Sequence, residues 1–270
     1  MKKIVITGAA SGLGKAIAEH FGQQGWQILA VDIQDKVGLK LVEDLEQKEI
    51  SAEYYHCDIG SLEQIKNLYK TIASKHSYID ALINNAGVAS VGPLEGTTAE
   101  EWKRLIDLDL MSVIYGTQYC LPLLKKSPSA HVVNIASFAG LALMPGMMSY
   151  NVAKAGVVAF SETLQGELAA DGIGVSVACP AFFQTNLVSS MEKIDQKTKS
   201  FIDKQMKTSG VTATDVAKDI EAAIETNKFL VISHKSALWQ HRIKRWMPNL
   251  FLSKKAKIYQ RLKQKGSKNV

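Results

Sequence analysis

With 270 residues, 46% of them hydrophobic, the chain can build one large α/β core. No apolar run reaches bilayer-spanning length, and Cys57, Cys120 and Cys179 are too dispersed for a disulfide framework or a metal cluster, so they read as small core residues and no metal site is expected. Of the 32 Lys and Arg, 12 lie from residue 226 onward, where none of the 26 Asp and Glu occurs; the tail therefore supplies the whole net charge of +6.

Only Met1 and Lys2 precede the first apolar run, so no signal peptide is expected and the cytoplasm is the expected compartment. That run, Lys3-Ile4-Val5-Ile6-Thr7, has the β-branched character of a buried parallel strand. It leads into Gly8-Ala9-Ala10-Ser11-Gly12-Leu13-Gly14, then into an amphipathic helix with Leu13, Ile17, Ala18 and Phe21 on one side. Glycines permit a tight turn and a close backbone approach, and a helix start offers N–H groups and a positive dipole end to a phosphate. The spacing Gly-x-x-x-Gly-x-Gly differs from the Gly-x-Gly-x-x-Gly of longer dinucleotide enzymes, and a plain glycine-rich turn is the competing reading.

A second strand, Gln27-Ile28-Leu29-Ala30-Val31-Asp32, ends in an acid 18 residues after Gly14, near the interval of a ribose-binding carboxylate. Such a group accepts hydrogen bonds from ribose hydroxyls and repels a 2′-phosphate. The neighbours Ser11 and Ile33 bring no cation, so NAD is expected over NADP. A solvated acid at a strand end is the bland alternative. Further strands are expected near 52–57, 80–84, 131–136, 174–179 and 229–233, alternating with helical stretches. This pattern predicts a Rossmann-like, doubly wound, seven-stranded parallel sheet with helices on both faces and a ligand at the carboxyl ends of the strands.

The fifth strand runs into Ser137, and a helix begins near Tyr150 and Lys154, which lie four apart on one face. An ammonium beside a phenol favours the phenolate, and a serine hydroxyl nearby can bond the same substrate oxygen. Tyr259 and Lys263 repeat the spacing, but 13 residues before Tyr259 stands Trp246, not a serine, and no apolar strand leads in.

In order along the chain, Thr7 to Gly14, Cys57-Asp58-Ile59, Asn84-Asn85-Ala86-Gly87, Ser137 with Tyr150 and Lys154, and Cys179-Pro180-Ala181-Phe182-Phe183-Gln184-Thr185 resemble the motifs of the short-chain dehydrogenase/reductase family. The resemblance implies an NAD(P)-dependent oxidoreductase. It assigns Gly8, Ser11, Gly12, Leu13, Gly14, Asp32, Asp58, Ile59, Asn85, Ala86, Gly87, Pro180, Phe183 and Thr185 to the cofactor. Tyr150 becomes the general acid or base, Lys154 lowers its pKa and holds the nicotinamide ribose, and Ser137 orients the substrate oxygen. Two positions depart from the family pattern. Asp109 replaces an asparagine whose main-chain carbonyl serves a proton relay, and its charge would partly neutralise Lys154. Ala181 replaces a glycine and would tolerate a positive φ poorly.

The apolar, methionine-rich link from Phe138 to Met148 must pass the reacting centre, so Leu143, Met144 and Met148, with Phe182, Leu187 and Met191, are expected to form a hydrophobic substrate pocket. Packing of these methionines in the core or at an interface is the alternative. Residues 1–233 are expected to form the binding and catalytic domain, with a mobile lid at about 185–210, and 234–270 a basic amphipathic extension. By resemblance the helix starting at Tyr150 builds a dimer or tetramer interface.

In the extension, Leu238, Trp239, Ile243, Trp246, Met247 and Leu250 recur at helical spacing among Arg242, Lys244 and Arg245. Such a helix can lie on an anionic membrane; the competing expectation is packing on the body or on a partner subunit. Nucleic acid is not an expected partner, since the basic patch is confined to the tail and no binding motif accompanies it. A non-catalytic NAD-sensing module acting through this tail is the alternative to the enzyme.

Overall fold

The computed structural model describes residues 1–183, 191, 194 and 196–267. Seven strands, β1 (Lys3–Thr7), β2 (Gln27–Asp32), β3 (Ala52–His56), β4 (Ala81–Asn84), β5 (His131–Ile135), β6 (Gly174–Ala178) and β7 (Leu230–Val231), form one parallel sheet in the order β3-β2-β1-β4-β5-β6-β7. The doubly wound expectation holds, and each strand lies within about two residues of its expected place. The edge strand β7 is the shortest; beyond it the chain turns away to His234.

The described α-helices are α1 (Gly12–Gln23), α2 (Asp35–Glu46), α3 (Leu62–Lys75), α4 (Ala99–Ile106), α5 (Ser112–Leu124), α6 (Phe138–Ala142), α7 (Met148–Leu168), α8 (Gln196–Thr208), α9 (Ala213–Thr226), α10 (Lys235–Trp246) and α11 (Pro248–Ser267). Strand side chains alternate between faces. Ile4 and Ile6 of β1 join one core with α1, α2 and α9, whereas Val5 joins the other with α3, α5 and α7. Burial on both sides is what calls for near-continuous apolar strands. Because β1 pairs with β2 on one edge and β4 on the other, the connections diverge there and leave a crevice at the strands' carboxyl ends.

A chain of buried side-chain hydrogen bonds ties the sheet to the helices beneath that crevice. Asn84 Nδ2 donates to Thr117 Oγ1 and to Asn134 Oδ1, both at 2.9 Å, and Asn134 Nδ2 donates to Ser161 Oγ at 2.9 Å. The Asn134–Ser161 bond fixes α7 against β5, and the Ser161 hydroxyl in turn donates to the Val157 carbonyl of its own helix at 2.7 Å. Every link is buried, so removing one leaves desolvated partners. Asn134→Ala should cost about 2 kcal/mol and lower the melting temperature by roughly 5 °C, measured by differential scanning calorimetry.

Candidate active site

The crevice begins where β1 turns into α1. Gly8 has φ +66°, and a Cβ there would meet Ala86 Cα at 2.8 Å. A Cβ on Gly14 would fall 2.0 Å from the Gly8 carbonyl oxygen, so this position needs glycine for packing. Asn85 clamps the turn: its Nδ2 donates to the carbonyls of Thr7 at 2.9 Å and Gly8 at 3.2 Å, while Thr7 Oγ1 accepts the N–H groups of Asn85 and Ala86. Ser11 starts α1 without a side-chain cap, and the first turn carries no acid. The helix therefore presents uncapped N–H groups and an uncompensated positive end, which suits a phosphate.

Asp32 is buried at the end of β2. Its Oδ2 accepts Ala10 N–H at 2.9 Å and its Oδ1 accepts Gln34 N–H at 3.0 Å. The carboxylate thus braces the glycine turn as well as facing the cavity. Asp58, whose Oδ1 accepts Gly60 N–H at 2.8 Å, lies on the same wall with Ile59.

On the other side of the crevice Ser137 ends the β5 segment and caps α6, its Oγ accepting Ala139 N–H at 3.1 Å. Gly140 lets α6 approach α7: a Cβ there would stand 2.6 Å from the Lys154 carbonyl oxygen. Tyr150 and Lys154 lie in the first two turns of α7, both 4% exposed. Lys154 Nζ sits 5.8 Å from the Tyr150 ring centroid and donates to the Ile135 carbonyl at 3.2 Å.

Asp109 is fully buried behind this lysine. It rides a π turn, Asp107–Met111, at the junction of α4 and α5. Its Oδ1 accepts Val88 N–H at 2.7 Å. Its Oδ2 lies 3.4 Å from Lys154 Nζ, close enough for an ion pair but not aligned for a hydrogen bond. Gly87 makes room for the pair, since a Cβ there would meet Asp109 Oδ1 at 2.9 Å and Lys154 Nζ at 3.3 Å.

These charges decide the proton affinities. Burial opposes the Lys154 ammonium, but attraction to Asp109 and Tyr150 outweighs it and the pKa is raised. Burial raises the Asp109 carboxyl against the pull of Lys154. Burial likewise raises the Tyr150 phenol; Lys154 and Ser137 favour the phenolate and Asp109 disfavours it, and the net direction is upward. The sequence-based expectation of a lowered phenol is corrected here: the pull of one ammonium, partly neutralised by a carboxylate, does not overcome desolvation.

Turn and serine–tyrosine–lysine cluster open on one cavity of about 2250 Å³, against roughly 300–1,000 Å³ for a site holding one small ligand. Gly8, Ser11, Gly12, Leu13, Asp32, Asp58, Ile59, Asn85, Ala86 and Gly87 line it, as do Ser137, Tyr150, Lys154, Pro180 and Phe183. These residues fit a dinucleotide. Gly14 and Asp109 stand behind the wall as packing and charge partners.

Of the expected substrate residues, Met144, Phe182 and Met191 are on the wall; Leu143 and Met148 are not. Leu143 closes α6 in the left-handed conformation (φ 55°), and Gly146 turns the link again at φ 89°, so Met147 lines the cavity and Met148 faces solvent. Thr185, Leu187 and part of the expected lid lie outside the described residues.

Ala181 does not adopt a positive φ, so the expected strain is absent. His234, which sequence reasoning missed, lines the cavity and grips this segment: Nδ1 accepts Ala181 N–H at 3.3 Å and Nε2 donates to the Phe182 carbonyl at 3.0 Å. Its only sequence signal is a place just after the last strand. Gln240, Ile258 and Tyr259, from the helices after β7, also reach the wall.

The family model described as short chain dehydrogenase matches residues 2–196. The chain belongs to the short-chain dehydrogenase family. This short-chain dehydrogenase is an oxidoreductase enzyme. It is 33% identical over 198 residues to the 3-oxoacyl-acyl-carrier-protein reductase FabG of Thermotoga maritima, which covers 73% of this chain and 79% of that relative. Similarity to the CLA biosynthesis dehydrogenase/reductase of Lactiplantibacillus plantarum runs over 265 residues at 28% identity, covering 90% and 92% of the two chains. A short-chain dehydrogenase/reductase of Burkholderia phymatum, solved in complex with NAD, superposes with a TM-score of 0.84 at 29% identity and covers 92% of this chain and 94% of that one.

Asp109→Asn removes a charge that disfavours the phenolate, so the Tyr150 pKa should fall. The acid-side limb of kcat/KM for alcohol oxidation, which rises as the phenolate base forms, should then move to lower pH. Overlapping pH–rate profiles for parent and variant would deny Asp109 any electrostatic part.

Proposed function

We propose that this oxidoreductase moves a hydride between a nicotinamide dinucleotide, NAD in preference to NADP, and a secondary alcohol or ketone on an apolar frame. That frame is an acyl chain, a sterol-like ring or another hydrophobic alcohol. One observation carries the reading: the Ser137–Tyr150–Lys154 cluster and the glycine turn with Asp32 line the same cavity. The Burkholderia neighbour with bound NAD supports the cofactor, and the name of the Thermotoga relative supports an oxoacyl substrate.

When bound, the dinucleotide supplies the hydride acceptor or donor. Gly8, Ser11, Gly12 and Leu13 hold its phosphates at the start of α1, and Asp32 binds the adenosine ribose. Asp58 and Ile59 flank the adenine, and Asn85, Ala86 and Gly87 line the path between the halves. Pro180 and Phe183, with Thr185, serve the nicotinamide end. Tyr150 gives its proton to the substrate oxygen in reduction and takes it back in oxidation. Ser137 orients that oxygen; Lys154 stabilises the phenolate and binds the nicotinamide ribose; Asp109 positions Lys154.

The substrate half of the cavity is apolar. Val91, Met147, Phe182, Met191, Ile202 and Met206 pack around Tyr150 in one cluster and reach the wall. Methionines adapt to irregular apolar ligands. The same reading includes a homo-oligomer, dimer or tetramer, built through α7, a cytoplasmic location, and a peripheral membrane contact through the C-terminal helices. Among the described residues no helix is long and apolar enough to cross a membrane.

Tyr150→Phe should lower kcat by about 10²–10⁴-fold or more while the NADH dissociation constant, read by fluorescence titration, stays within about threefold. An active Phe variant overturns the assignment. With NADH and NADPH compared on one ketone, NADH should give the higher kcat/KM. Asp32→Asn keeps an acceptor for Ala10 N–H and removes the charge, and should narrow the preference by about 10–100-fold.

A further inference from the structure

The tail departs from ordinary amphipathicity. The expected single run is split at Met247 and Pro248: proline sits comfortably in a first helical turn and cannot continue the preceding one, so α10 ends and α11 begins. On α10 the residues turned toward the body are small or polar apart from the half-buried Leu238. Ala237 is buried, Gln240 reaches the cavity, and Lys244 Nζ donates to the Leu141 carbonyl. On α11, Lys255 Nζ donates to the Leu143 carbonyl at 2.9 Å. Two lysines thus pin the helix pair to the end of α6.

Most of the large apolar residues of the pair are exposed. Trp239, Ile243 and Trp246 are 63%, 42% and 84% exposed and stand four and three residues apart, on one face. Met247, Leu250 and Leu252 continue the exposed apolar surface across the corner. Lys235, Arg242, Arg245, Lys254 and Lys257 are exposed around it, and the Arg242 guanidinium sits 5.7 Å from the Trp239 ring centroid. Neither packing on the body nor ordinary solvation accounts for this face. A patch of this kind marks a binding surface.

We propose that the outward face of α10 and the α10–α11 corner docks on an anionic phospholipid bilayer. This deepens the peripheral contact in the proposed function, and docking itself requires no particular substrate. The tryptophans suit the headgroup boundary, where an apolar ring and a wet N–H edge are both satisfied. Each Lys or Arg near an anionic surface adds to the attraction. From residue 226 onward no acidic side chain opposes them. Two copies meeting tail to tail would instead bring acid-free basic faces together, which like-charge repulsion disfavours.

The test is co-sedimentation of the full chain with two kinds of vesicle, one of phosphatidylcholine alone and one in which about one lipid in three is phosphatidylglycerol, enough to give the surface the negative potential that attracts basic segments. Docking predicts at least roughly tenfold stronger binding to the anionic vesicles, with a blue shift of tryptophan emission. Trp239→Ala with Trp246→Ala should abolish the binding and leave both NADH affinity and turnover in detergent-free buffer unchanged. Equal or absent binding to the two vesicle types overturns the proposal. So does unchanged anionic binding in the double variant, or a loss of oligomer mass by light scattering in that variant, which would assign the face to a second copy. Failure of vesicle binding with turnover intact leaves the oxidoreductase reading standing, whereas absent turnover with vesicle binding intact strikes only that reading.

Discussion

A lysine ammonium taken out of water must be compensated where it stands, and the architecture of this site follows from that demand at Lys154. The Ile135 carbonyl at the end of β5 accepts one of its hydrogens. Asp109 supplies the countercharge from a π turn, the kind of helix irregularity that recurs at functional positions because it re-aims a side chain. Gly87 leaves the space in which the two meet, and Val88 fixes the carboxylate. Three separate chain segments therefore converge on one charge, and the same charge faces the Tyr150 phenol. The result is a phenol whose proton affinity reflects a contest between burial, one cation and one anion.

Much of the fold was legible because its signals are local. The apolar β-branched run at Lys3–Thr7, the glycines after it and the acid at Asp32 each follow from short-range geometry, and the sheet follows from their repetition. Tyr150 and Lys154 could be paired from helical spacing, and Ser137 from its place at a strand end.

The remainder depended on quantities that no spacing carries. The left-handed conformation of Leu143 and the turn at Gly146 decide which methionines face the cavity, so Met147 replaces Met148. The direction of the Tyr150 shift depends on burial, which pits desolvation against Lys154. His234 acts across 52 residues on the Phe182 carbonyl, a contact without a local pattern. Tyr259, whose spacing to Lys263 lacks a serine partner in the sequence, nevertheless reaches the cavity wall through the fold of the tail.

The attachment of the tail has an evolutionary consequence. Lys244 and Lys255 grip main-chain oxygens of Leu141 and Leu143, and every residue type offers the same oxygen. Side chains along that link can therefore drift without loosening the buttress that rests on them. Selection could retune the inner surface while the outer helices stayed anchored.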